Sequence, residues 1–448
     1  MFSLFFVAIY RVMRRHHCTS QPPKINSAPL KFFASKYLFA PHRRANPRNT
    51  IINNRVIAFR RHSANMAPCP RGMQRELFTP TRKPFPMETG ILITPQKDLS
   101  ASLAVYQRFM ADFNPDCVWI PDRFLFQDSS RLREHLGYSG KEEPREFLDP
   151  FVTIAAMAQH NPSGRFGIAV TDFIRRGAPD LARAASTLTQ LLGSPLNLGF
   201  GSGEAINLTP LGYEHGDKPV SVFEERLRQF KGIRDTGLYS APGRKPVALG
   251  YDAFRANIWM GGQRERMLGI AARYADGWLP AWHMSAAEYR EKLDIVARVA
   301  AEHGRPAPKA GLLSLVVVGE SKQSLYETFS SNPLSKAIAL EFSAEVWRRW
   351  GLEHPFGSGA KGMPDVIIDD IDPELIVKSL DAIPPDFCAS LGFFGSVREI
   401  LDDLRPYRDA GLEHLGFMFI VNVNMADAFF DAGHYNDYRA LFEAIKRW

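Results

Sequence analysis

The chain is 448 residues long, 45% apolar and 23% charged, with a formal net charge of +7. That length can bury one large core with appendages, or two domains, and the apolar content is ordinary for a soluble protein. Cys18, Cys69, Cys117 and Cys388 show no C-x-x-C spacing, so neither a disulfide framework nor a zinc site is indicated.

Charge is unevenly spread. Residues 1–75 hold 14 Lys and Arg and no acid, and the first acid is Glu76. This surplus exceeds the net charge of the whole chain, so the remainder is acidic on balance. The basic segment has no sustained helical or strand period. Its opening, MFSLFFVAIY, is too short to span a membrane. Arg11, Arg14 and Arg15 follow that apolar run, whereas a secretory signal places its basic residues first. A disordered leader, a transit-like segment and sequence translated ahead of the true start are the three readings. Met87, immediately before the first strand, favours the last. We therefore expect residues 1–86 to be a disordered or non-native extension and residues 87–448 to form the domain. Basic arms bind phosphate backbones, but no nucleic-acid fold motif accompanies this one. No nucleic-acid partner is expected for the acidic body.

Gly90–Thr94 (GILIT) reads as a strand, residues 99–112 as a helix and Asp116–Pro121 as the next buried strand. A long polar loop runs from Asp122 to about Asp149, and helical patterning resumes over Phe151–Gln159. Phe166–Thr171 is the third strand. Ala178–Leu192 is its helix, with Pro179 near the start and Gly193 past the end. Leu196, Leu198 and Phe200 mark the fourth strand, which runs into Gly199, Gly201 and Gly203 and then Glu204 and Asn207. A helix is expected over Val220–Phe230, loop over 234–254, and the fifth strand over Ala256–Met260. Arg264–Tyr274 is helical, Ala275–Pro280 holds a short sixth strand, Glu288–His303 is helical and Leu312–Val318 is the seventh strand. After a mixed stretch come a helix over Ser396–Ala410, the eighth strand over Leu415–Val421, and closing helix over Ala426–Trp448, broken around Gly433. Eight apolar strands mostly separated by helices predict an α/β protein, a (β/α)8 TIM barrel with a helical insertion after strand 7 at about 322–395. A doubly wound sheet is the structural rival. No internal stretch reads as an integral membrane segment.

In such a barrel the C-terminal strand ends form the catalytic face. Asp122 follows strand two, Asp172 strand three, and Glu204 and Asn207 strand four. Gly261 and Gly262 follow strand five, and Trp278 and Pro280 lie around strand six. Each acid has a bland alternative: Glu204 as a first-turn or capping acid, and Asp122 and Asp172 as helix or loop caps. Gly261-Gly262 ahead of a helix can present backbone N–H groups to phosphate, with Arg264 and Arg266 adding charge. His283 is a candidate pocket residue, His354 a candidate substrate-side residue, and Cys117 reads as a small core residue. No G-x-G-x-x-G follows the first strand. Gly201-Ser202-Gly203 lacks the spacing of a nucleophile elbow. The histidines form no metal cluster, so no metal is expected.

The stretches WIPDRF at 119–124, FGIAVTD at 166–172, NLGFGSGEAIN at 197–207, NIWMGGQRERMLGIAARYADGWLP at 257–280 and GLEHPFG at 351–357 carry a resemblance. From about Thr89 to the C-terminus the chain resembles the bacterial luciferase-like superfamily, within it the deazaflavin (coenzyme F420)-dependent oxidoreductases. Within that branch it resembles the phthiodiolone and phenolphthiodiolone dimycocerosate ketoreductases. The resemblance implies an eight-stranded barrel of the luciferase-like type, F420 as cofactor with FMN as the alternative, and hydride transfer between reduced deazaflavin and a small or lipid-like carbonyl substrate. An FMN-dependent monooxygenase and a non-catalytic flavin- or deazaflavin-binding protein are the other readings. A cytoplasmic location and an optional homodimer complete the expectation. By the same resemblance, Asp122 and Arg123 lie near the ring. Val170, Thr171 and Asp172 form the segment where many relatives carry a bulged non-proline cis peptide. Gly203, Glu204 and Asn207 stand beside the cofactor, and Gly261, Gly262, Trp278, Leu279 and Pro280 meet its phosphate or tail. Glu204, Asp122 and Asn207 are the expected catalytic residues. One departure stands out: many F420-dependent relatives have Asp-His where this chain has Asp122-Arg123. A guanidinium is a poor proton donor at neutral pH and is suited instead to gripping an anion.

Overall fold

The computed structural model describes residues 86–95, 98–125, 130–136, 147–250, 253–281, 284–331, 336–418 and 433–448. The expectations for residues 1–85, for His283 and for the end of the eighth strand at Val421 fall outside the described residues. In chain order the strands are β1 (Glu88–Leu92), β2 (Cys117–Ile120), β3 (Phe166–Asp172), β4 (Leu196–Gly201), β5 (Leu238–Tyr239), β6 (Val247–Ala248), β7 (Ala256–Met260), β8 (Gly277–Trp278), β9 (Lys309–Val318), β10 (Gly392–Gly395) and β11 (His414–Met418). Eight of them close a parallel barrel in the order β1-β2-β3-β4-β7-β8-β9-β11, with β11 returning to β1. The rival open sheet is thereby excluded.

Alternation along each strand sorts its side chains between two cores. Val118 and Ile120 of β2 face the outer core, with Phe166, Ile168, Leu198, Phe200, Ile258 and the surrounding helices. Cys117 and Trp119 face the inner core, with Trp259, Leu313, Leu315 and Met418. Burial pushes the Cys117 thiol up to about 12, as an inert core residue requires. Polar groups inside the barrel bond to one another: Asn197 Oδ1 accepts from Trp259 Nε1 (3.1 Å) and Asn257 Nδ2 (2.9 Å), and Trp119 Nε1 donates to His414 Nε2 (3.0 Å).

The inner core continues into the insertion through Ile338, Leu340, Trp347, Val366 and Phe387. β9 explains how. It is ten residues long; its first half pairs with β11 and its second half with β10, a strand the sequence reading placed nowhere. β10 is only GFFG, and a Cβ at Gly392 would stand 2.1 Å from the Leu315 carbonyl oxygen, so only glycine allows this pairing. The segment read as loop over 234–254 also holds the small antiparallel pair β5–β6.

Helix ends follow their caps. Ser285 forms a capping box with Glu288, starting the helix at Ala286 rather than Glu288. The helix Pro219–Thr236 runs past Phe230 until Gly237, at φ 69°, stops it. His354 lies at 4% exposure and is structural: its Nδ1 accepts from Phe356 N–H (3.1 Å), and its Nε2 lies 3.3 Å from the Leu340 carbonyl. No helix among the described residues is long and apolar enough to cross a membrane.

Candidate active site

The C-terminal ends of β2, β3 and β4 bring six of the expected residues into two hydrogen-bonded groups, Arg123 with Glu204 and Asn207, and Asp122 with Thr171 and Asp172. Glu204 follows β4 and Gly203, whose φ of +93° makes the turn that Gly201 and Gly199 do not need. Glu204 occupies the N-cap position of the short helix Ala205–Leu208, but its side chain caps nothing. It faces β2 instead: Arg123 donates to Glu204 Oε2 from Nε (2.9 Å) and lies 2.8 Å away through Nη2. Asn207 Nδ2 donates to the same oxygen (2.9 Å). The other end of Asn207 receives Phe124 N–H (2.7 Å) and Leu125 N–H (2.9 Å) on Oδ1. Asn207 therefore fixes the loop that presents Arg123. Burial works against the Arg123 cation, but the charges of Glu204 and Glu341 outweigh it and hold Arg123 above the ordinary guanidinium range.

Asp122 is buried and differently employed. Its Oδ2 accepts from Thr171 Oγ1 (2.6 Å) and Arg176 Nε (3.1 Å), its Oδ1 lies 3.5 Å from Arg175 Nη1, and its carbonyl accepts from Arg175 Nη2 (2.7 Å). Asp172 takes Arg175 Nε on Oδ2 (2.5 Å) and the N–H groups of Ile174 and Arg175 on Oδ1 (both 2.8 Å). The capping alternative thus describes Asp172, whereas Asp122 joins β2 to β3. Arg175 and Arg176, which tie this network together, were not singled out from sequence. Their signal was two arginines following the strand-end acid at 172.

At β3 the peptide Ala169–Val170 is cis, within a bulge between Ile168 and Thr171. Val170 projects toward β4 and β7. A Cβ on Gly199 would lie 2.9 Å from Val170 Cγ1 and 2.5 Å from the Ile168 carbonyl oxygen; one on Gly201 would lie 2.8 Å from Val170 Cγ2. A Cβ on Gly261 would lie 3.3 Å from the Leu279 carbonyl oxygen and 3.8 Å from Val170. The glycines at 199 and 201 therefore serve close packing around Val170.

Beyond β7, the helix Glu265–Tyr274 begins after Gly261 and Gly262 with no side-chain cap from Arg264. Its first turn keeps N–H groups for an anion. Trp278 lies in the outer core, stacks on Tyr289 and donates Nε1–H to the Gly262 carbonyl (2.9 Å), fixing the turn from behind. Leu279 faces the inner core, its N–H on the Met260 carbonyl (2.8 Å), and the Pro280 carbonyl accepts from Leu313 N–H (2.9 Å). Sequence reasoning also missed Glu341, at 5% exposure on the insertion. Burial, against the Arg123 cation, pushes its carboxyl up to about 8. No signal in the mixed stretch distinguished it. Among the described residues no group of three or more His, Cys, Asp or Glu is placed to hold a metal ion.

Residues 128–414 match the family described as luciferase-like monooxygenase. The phthiodiolone/phenolphthiodiolone dimycocerosates ketoreductase of Mycobacterium sp. (strain JLS) is 31% identical over 327 residues, covering 69% of this chain and 84% of that protein. A 5,10-methylenetetrahydromethanopterin reductase from Methanolobus tindarius is 25% identical over 200 residues, 43% of this chain and 53% of that protein. Among solved structures, an F420-dependent secondary alcohol dehydrogenase in complex with an F420-acetone adduct aligns with a TM-score of 0.57 at 14% identity, over 81% of this chain and 99% of the other. A long-chain alkane monooxygenase aligns with a TM-score of 0.56 at 13% identity, over 80% and 95%.

Proposed function

The chain belongs to the luciferase-like monooxygenase family, and from that premise we propose that it is an F420-dependent oxidoreductase, passing a hydride between reduced deazaflavin and a carbonyl-type substrate, small or lipid-like. The observation that carries the reading is the Val170 bulge seated on Gly199 and Gly201, together with the Arg123–Glu204–Asn207 cluster. The residues fit a flat, anionic cofactor. Val170 with Gly199, Gly201 and Gly261 would back the ring, and Glu204 and Asn207 would supply polar contacts. Gly203 would leave room at the turn. Gly261, Gly262 and the first turn after Arg264 would take a phosphate, with Leu279 and Pro280 alongside. When bound, the deazaflavin supplies the hydride. The chain supplies the geometry: Asp122, Thr171 and Asp172 hold the β2 and β3 loops together through Arg175, and Asn207 presents Arg123 to Glu204. Ketoreduction is supported by the matched ketoreductases, which cover most of their own length here.

FMN-dependent monooxygenation is the second reading, supported by the family's description. Side-by-side titration of the full chain with F420 and FMN separates the two. We expect F420 to bind and, once reduced, to be reoxidised by acetone or a longer-chain ketone. Tight FMN binding with no F420 binding reverses the assignment.

A further inference from the structure

This inference rests on the carbonyl-reduction reading above. The segment GLEHPFG at 351–357 belongs to the insertion, and a run of hydrogen bonds leads from it to the loop that carries Glu204. His354 Nδ1 accepts the Phe356 N–H (3.1 Å), so the ring proton sits on Nε2, which donates to the Leu340 carbonyl (3.3 Å). Trp347 Nε1 donates to the Ala339 carbonyl (2.8 Å), and Met363 N–H donates to the Glu341 carbonyl (3.0 Å). Successive carbonyls of the 3-10 turn Ala337–Glu341 are thus held by the insertion itself. The Met363 carbonyl then accepts the Ala205 N–H (3.0 Å). Gly362, at φ +81°, permits this approach, because a Cβ there would stand 2.2 Å from the Glu341 carbonyl oxygen. Its carbonyl accepts from Asp365 and Val366 N–H (both 2.9 Å), and the Asp365 carboxylate accepts the Lys361 N–H (2.9 Å), closing residues 361–366 on themselves. Val366 anchors this turn in the inner core.

Ala205 opens the short helix Ala205–Leu208, which follows Glu204 directly and bears Asn207. Four residues make almost no helix on their own, so the placement of this one comes from what holds it. Its first N–H goes to the Met363 carbonyl, and the Asn207 N–H goes to the Glu204 carbonyl (3.0 Å). Neither donor draws on the Glu204 carboxylate, which is left to meet Arg123 and the Asn207 amide. Asn207 in turn holds the Phe124 and Leu125 N–H groups of the β2 loop.

We propose that the insertion positions Glu204 and Asn207 against Arg123 through the Met363 carbonyl. Gly362 and His354 are the positioning residues behind it: Gly362 sets the approach of Met363, and His354 holds the turn on which Met363 rests. None of the three acts on the acceptor itself.

Ala205→Pro cuts the tie at one atom. It deletes the N–H at the first helical position, where proline is accommodated, and Glu204 before it already has the extended backbone that proline requires (φ −113°, ψ 134°). Ala205→Gly keeps the N–H and serves as control. In the full chain without cofactor, hydrogen exchange of the Phe124 and Leu125 N–H groups reports how firmly Asn207 is held. Both should exchange about fivefold faster or more in Ala205→Pro, Gly362→Ala and His354→Leu, the scale of one net hydrogen bond. Ala205→Gly and His354→Gln, which keep the donors, should stay close to wild type. Val118 N–H, on the Arg165 carbonyl at the other end of β2 (2.9 Å), should not change in any of them, which separates release of the site from general loss of stability. With reduced F420 and a ketone, Ala205→Pro should lose about tenfold to a hundredfold in kcat at near-normal cofactor affinity. In a Glu204→Gln background the same change should cost nothing further, whereas a merely structural effect adds in full. Unchanged Phe124 and Leu125 exchange in Ala205→Pro, or full additivity with Glu204→Gln, overturns the proposal. Should Ala205→Pro not fold, Gly362→Ala is read by the same two criteria. A wild type that neither binds F420 nor reduces a ketone overturns the functional reading instead, and the cofactor-free exchange result still decides whether the tie exists.

Discussion

Glu204 and Asp122 have the same chemistry, and their surroundings divide their labour. Glu204 is partly exposed at the mouth, with both hydrogen bonds falling on Oε2. Glu204→Gln keeps the shape and removes the charge that Arg123 meets. It should fold normally, bind cofactor near normally and lose roughly tenfold to ten-thousandfold in single-turnover hydride transfer, the range of a positioned acid or base. Unchanged single-turnover rates would remove Glu204 from the chemistry. Asp122 should respond in stability instead. Asp122→Asn leaves Arg175 and Arg176 facing a neutral amide inside the protein, and a broken buried pair costs about 3 kcal/mol. Urea denaturation should show that loss. Glu341 adds a pH signature. Its carboxyl moves from an ordinary 4.5 to about 8 on folding, so the folded state holds the proton more tightly. The associated stability is full below about pH 4.5 and is lost as pH rises toward 8, at no more than about 1.4 kcal/mol per pH unit. Melting temperatures of wild type should therefore fall more steeply between pH 5 and 8 than those of Glu341→Gln, and parallel curves would contradict this.

At the level of elements, β4 and the helix after β7 use glycine for opposite reasons. In β4, Gly199 lies against backbone: an added Cβ would meet the Ile168 carbonyl oxygen at 2.5 Å. Gly199→Ala should destabilise by about 1–3 kcal/mol as an overpacked strand pair, and should weaken cofactor binding by displacing Val170. Gly269, inside the helix Glu265–Tyr274, has nothing within 4 Å of the same added atom. Gly269→Ala should stabilise by up to about 1 kcal/mol through helix propensity. Thermal melts of the two variants side by side check both signs. β9 shows a different economy: one long strand serves the barrel with its first half and carries β10 with its second. Through it the insertion shares the barrel's inner core.

For the whole molecule, the barrel supplies the frame and the insertion packs on its inner core and against the loop after β4. We propose that residues 87–448 form this unit and that the basic extension is dispensable to it. A chain begun at Met87 should melt no lower than the full chain, and a large loss of melting temperature would show that the extension packs. Hydrophobic alternation, glycine and proline placement and strand spacing were local properties, so the eight strands, their parallel closure and the position of the insertion could be read from the sequence. So could the gathering of Asp122, Asp172, Glu204 and Asn207 at one end of the barrel, because a barrel brings strand ends together wherever they lie in the chain. Local pattern does not encode which charge meets which. Whether Glu204 caps a helix or pairs with Arg123, whether Asp122 is an acid or a tie between strands, and whether Trp278 lines the mouth or backs it depend on contacts between residues tens of positions apart. β10 escaped notice because four residues bounded by glycines have no period to detect. Glu341 escaped because a carboxyl is unremarkable in sequence until packing removes its water, and only the tertiary structure decides that.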